Sequence, residues 1–112
     1  MMPWLDRVLK QRPANGVTAG MVREMMRQGL AQRWDASDGS TVVTQLHTEP
    51  AGDVCLVWLA EGMMDPLLEL HERICEWARE AGCVRMRIVG RKGWIRVVPG
   101  YKEVATVMER DL

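Results

Sequence analysis

The chain reads as a single α/β domain built on a mixed sheet, and three features of its sequence carry that reading. Val54 to Ala60 is a continuous apolar run, the pattern of a central strand buried on both faces. A sharply amphipathic helix follows from Asp65, and a second strand pattern, Cys83 to Val89, starts directly after its Gly82 stop. Strand, crossover helix and strand in that order form a βαβ unit, which makes the two strands parallel. Thr41 to Thr48 alternates beside turn-rich sequence, predicting an antiparallel meander ahead of that unit.

Pro3 to Gln11 reads as a short helix, with Pro3 at its first position and Trp4, Leu5, Val8 and Leu9 on one face. Pro13-Ala14-Asn15-Gly16 breaks it. Thr18 caps a second helix whose apolar stripe is Val22, Met25 and Met26 and whose stop is Gly29. This helical pair, residues 1–29, precedes the sheet and long helix of residues 30–112, all within one domain. Two short helices with a tight break suggest a helix-turn-helix. Arg23, Glu24 and Arg27, however, give the second a mixed face unsuited to reading a DNA groove.

Ala31 to Ala36 is a short strand, and Asp35 to Ser40 is turn chemistry. In the next strand Val42, Thr44 and Leu46 share one face, and Val43, Gln45 and His47 the other. Pro50-Ala51-Gly52-Asp53 connects it to the central strand as a hairpin. The long helix takes Asp65 as its N-cap and Pro66 as its first residue. Leu67, Leu70, Ile74, Trp77, Ala78 and Ala81 recur at three- and four-residue spacing, with Glu69, Glu72, Arg73, Glu76, Arg79 and Glu80 on the wet side. In Cys83 to Val89, Val84, Met86 and Ile88 alternate against Arg85 and Arg87. Trp94 to Val98 fits either a helical turn or a strand, Pro99-Gly100 is a turn, and Glu103 to Arg110 reads as a final strand closing the sheet.

The bulk composition narrows the function classes. A chain of 112 residues, 47% apolar and 27% charged, has room for one core and is not disordered. Fifteen cations balance fifteen acids, which argues against a dedicated non-specific nucleic-acid binder. Cys55, Cys75 and Cys83 are an odd set without C-x-x-C spacing, in apolar stretches, and read as reduced core residues of a reducing compartment. The first twelve residues lack the apolar core of a signal peptide, and no run approaches the ~20 apolar residues of a membrane span.

Charge is nevertheless uneven. Arg85, Arg87, Arg91, Lys92, Arg96 and Lys102 fall in a stretch without a single acid. The candidate binding edge is Arg85, Arg87, Gly90, Arg91, Lys92, Gly93, Trp94 and Arg96, able to grip phosphate, nucleic acid or an acidic protein face. The alternative is a solvated loop with Trp94 packed on the helix and Arg85 and Arg87 paired with glutamates of a neighbouring element. His47 and His71 are too isolated for a metal site. Tyr101 reads as a packing residue or a general acid, and Glu61 as a helix-capping acid or a general base. Nine methionines, Met21, Met25, Met26, Met63 and Met64 among them, fill the core of a chain without phenylalanine or leave an apolar face for a partner.

The order of elements resembles the GNAT acetyltransferase superfamily and, more narrowly, a set of short phage-encoded GNAT-like proteins. The residues that carry the resemblance are Trp77-Ala78 and Gly82-Cys83, Gly90-Arg91-Lys92-Gly93-Trp94, Gly100-Tyr101, and the terminal Val107-Met108-Glu109-Arg110-Asp111-Leu112. It covers the chain from about Gly29 onward and implies a GNAT-like mixed sheet. In GNAT enzymes an Arg/Gln-x-x-Gly-x-Gly/Ala turn holds the pyrophosphate of acetyl-CoA on backbone N–H groups and a helix N-terminus. Here that turn is Ala60-Glu61-Gly62-Met63-Met64-Asp65-Pro66, with one glycine, no cation, two acids and a proline that lacks a donor.

The resemblance therefore leads to two expectations. One is a non-catalytic phage protein with no cofactor and no catalytic residue, a binding or virion-assembly component that meets a protein partner, a virion protein or itself, through its basic edge. It would sit in the cytoplasm of a bacterial host or in the virion. The other is an acyl-CoA-dependent N-acetyltransferase in which Arg91 and Lys92 replace the lost phosphate contacts. Nucleic-acid binding through Arg85 to Lys102 is a weaker third.

Overall fold

A computed structural model describes residues 17–89, 98–105, 108 and 110–112 of the chain. Helix α1 (Ala19–Arg27) leads into strands β1 (Ala31–Asp35), β2 (Thr41–Glu49) and β3 (Gly52–Glu61), followed by helix α2 (Met64–Glu80) and strand β4 (Cys83–Ile88). The four strands form one sheet in the order β1-β2-β3-β4. The first three are antiparallel and β4 runs parallel to β3. This is the predicted α/β architecture with its mixed sheet. The expected Pro3–Gln11 helix and the Gly90–Arg96 turn lie outside the described residues.

α1 starts where Thr18 accepts the Met21 N–H on its hydroxyl at 3.2 Å, and it stops at Gly29, whose φ of +77° a side chain would resist. α1 and α2 cover opposite faces of the sheet. Beneath α1, Val22 packs with Ala31, Val43 and Leu59; beneath α2, Leu67, Leu70, Ile74 and Ala78 pack with Val42 and Cys55. Each such aliphatic side chain contributes about 1.5–3 kcal/mol on burial. β3 supplies residues to both clusters, which is why it is apolar from Val54 to Ala60. On the α2 side the buried Thr44 hydroxyl accepts from Trp34 Nε1 at 3.1 Å and donates to Gln32 Oε1 at 2.9 Å. The Trp34 ring meets Trp77 edge-on, with centroids 5.2 Å apart.

Two bulges interrupt the ladders. Val43 faces Leu59 and Thr44 faces Val57, so Trp58 is the extra residue of β3. Asp53 faces Cys83 and Val54 faces Arg85, so Val84 is the extra residue of β4. The second bulge corrects the alternation expected of Cys83 to Val89. Val84 is displaced from the inward set and is 58% exposed, leaning over Gly52.

Two further expectations change. α2 begins at Met64 with Met63 as its N-cap, not at Pro66 behind an Asp65 cap. Leu67 N–H already bonds Met63 C=O at 3.1 Å, so helical hydrogen bonding starts earlier. Pro66 is accommodated in that first turn because its missing N–H would have had no intrahelical partner there. Nor do the described residues of the C-terminal segment join the sheet: 101–105, 108 and 110–112 are neither strand nor helix. Among the described residues no helix is long and apolar enough to cross a membrane.

The turn from β3 into α2 depends on Gly62. Its φ is +140°, and a Cβ there would lie 2.2 Å from Ser40 Oγ and 2.7 Å from Ser40 Cα. Gly62→Ala is expected to lower stability by about 3 kcal/mol or more, backbone strain and steric clash together. Gly39→Ala, with φ at +92° but nothing within 4 Å, should cost only the strain of about 1–2 kcal/mol. Urea unfolding of the two variants checks the difference.

Candidate functional site

β3 outruns its parallel partner. The ladder with β4 ends at the pair Val57 and Ile88, while β3 continues to Glu61. The bulge at Trp58 falls at that point and bends β3 as the ladder ends. The last residues of β3 thus run on past the ladder to the Gly62-Met63 turn and the N-terminus of α2.

That turn is closed by its own neighbours. Met63 N–H donates to Ser40 Oγ at 3.1 Å, and the Ser40 hydroxyl donates to Asp38 Oδ2 at 3.0 Å. Asp38 Oδ1 accepts the Ser40 N–H at 2.9 Å. These bonds from the Ser40 backbone and hydroxyl hold the Asp38 carboxyl below the usual range. Ser40 is 3% exposed, so it fills the turn from beneath. Met64 and Asp65, the first residues of α2, have no intrahelical acceptor for their N–H groups, and the acids Glu61 and Asp65 lie in the same turn. Asp65 stabilises α2 through the helix dipole.

The predicted basic edge is only partly described. Gly90, Arg91, Lys92, Gly93, Trp94 and Arg96 lie outside the described residues. Arg85 is exposed on β4. Arg87 donates through both terminal nitrogens to the two carboxylate oxygens of Glu49, with Nη2 to Oε1 at 3.0 Å, and so ties β4 to the end of β2 across β3. The Arg87 hydrogen bonds hold the Glu49 carboxyl below its ordinary value, with smaller help from the charges of Arg87, His47 and Arg85. Glu49 in turn raises the Arg87 guanidinium. His47 Nε2 lies 2.8 Å from Gln45 Oε1 on the exposed part of β2.

One constellation was missed from sequence. His71 Nε2 lies 2.8 Å from the Tyr101 hydroxyl, with the rings 5.5 Å apart. Cys75 Sγ is 3.6 Å from the same nitrogen, and His71 Nδ1 is 3.4 Å from Glu72 Oε1. Burial pushes the Tyr101 phenol and the Cys75 thiol up, so both stay protonated, and such a thiol is a poor nucleophile. Burial likewise pushes Cys55 up to about 12. The cluster's evident work is to hold Tyr101 against α2. The i, i+4 spacing of His71 and Cys75 was available in the sequence; the arrival of Tyr101 thirty residues later was not. Among the described residues no group of histidine, cysteine or carboxylate side chains could hold a metal ion.

No protein-family model matches the chain, and no curated protein sequence matches it significantly. Solved structures do. A Trypanosoma brucei acetyltransferase superposes with a TM-score of 0.68 at 12% identity, covering 97% of this chain and 90% of its own. A Thermus thermophilus protein, solved as a point mutant, gives 0.65 at 15% identity, covering 96% and 90%. Its wild type gives 0.64 at 15% identity, covering 96% and 92%. The chain has an acetyltransferase-like fold. The expectation of a GNAT-like mixed sheet is met.

Two outcomes follow from this geometry. Ser40→Ala removes the acceptor of the Met63 N–H and should lower stability by about 1–2 kcal/mol in chemical unfolding. Arg87→Gln should remove a pH-dependent contribution. The Glu49 carboxyl is depressed in the folded state, so its stabilisation is complete above the ordinary value of 4.5 and is lost as pH falls through the folded-state value. Thermal melts of wild type and variant should therefore differ at neutral pH and converge in acid.

Proposed function

We propose that the chain is a binding protein built on an acetyltransferase-like fold, without acetyl transfer of its own. The observation that carries this reading is the closed β3–α2 turn. Pyrophosphate recognition at such a turn needs free N–H groups and positive potential. Here Ser40 takes the Met63 N–H, Pro66 has none to offer, and Glu61 and Asp65 bring negative charge. The residues present do not fit an acetyl-CoA pyrophosphate. The buried, protonated Cys75 and Tyr101 add no activated nucleophile or base.

Binding would use the acid-free stretch of the sequence in which exposed Arg85 is followed by Arg91, Lys92 and Arg96, and an acidic protein face is the partner its charge suits. The sequence resemblance to short phage-encoded proteins points to virion assembly as the setting, and that part of the proposal rests on resemblance alone. Nucleic acid is the competing ligand for the same charges, and its binding would weaken steeply with salt.

A second reading keeps acyl transfer. It would place an acyl chain beside the end of β3 that outruns its ladder with β4, with Arg91 and Lys92 supplying the missing cations.

Titration calorimetry separates the two. On the first reading acetyl-CoA and free CoA give no saturable heat, and neither raises the melting temperature. Micromolar binding of acetyl-CoA by the purified protein would sink it and establish the second.

A further inference from the structure

No further inference is drawn: the strongest candidate, the groove between α2 and β4 that Cys75, Arg79, Cys83 and Met86 line, carries nothing, because burial keeps its two thiols protonated and nothing in the structure shows what covers it.

Discussion

Burial of β3 on both faces is the constraint from which the rest of the molecule follows. One side of the strand places Leu59 under α1, and the other places Cys55 under α2. Neither helix has an apolar stripe that could be satisfied alone, and neither face of the sheet could remain in water. β2 bonds β3 on one side and β4 bonds its first half on the other, and the crossover through α2 returns the chain to the same sheet. Polar groups drawn into this core are paired, as the Thr44 hydroxyl between Trp34 and Gln32 shows.

Departures from regular pairing create the features of interest. Where β3 gains Trp58 as a bulge, its ladder with β4 ends. At the other end, the Val84 bulge puts an apolar side chain over Gly52 and leaves the β4 edge irregular. A groove lies at the side of the sheet, between β4 and α2. β3 ends in a turn whose tight conformation is set by Gly62 against Ser40, and the closeness of that contact is what spends the Met63 donor.

Electrostatics follow the same division. The cations of β4 are not equivalent: Arg87 is tied to Glu49, while Arg85 faces solvent beside the groove. An arginine held by two hydrogen bonds to one carboxylate positions strands and has little left to offer a ligand. The carboxyls of Asp38 and Glu49 owe their depressed pKa to fixed hydrogen bonds of the scaffold and not to a reaction centre. Perturbed groups mark function only when a cleft and a substrate path accompany them. The Tyr101 and Cys75 shifts come from burial against α2, where they serve packing.

Periodicity and punctuation in the sequence determined the elements. The apolar run of β3, the three- and four-residue spacing of α2, Thr18 as a cap, and Gly29 and Gly82 as stops are local signals with local causes, and each was legible. The parallel β3–β4 pair was legible too, because a short turn after a helix leaves the chain few ways to return. What local signals could not carry was decided in three dimensions. Ser40 reaches Met63 from twenty-three residues away and moves the start of α2, a contact no window around Asp65 and Pro66 contains. Val84 looked inward by alternation, yet a bulge set by the register with β3 turned it out. Arg87 found Glu49, and His71 found Tyr101, across thirty or more residues. Alternation in the C-terminal segment predicted a strand but could not say what it would pair with, since pairing needs an edge and the sequence names none. Local patterns set which residues want burial and which turns are possible; only the packed sheet fixes which distant groups meet.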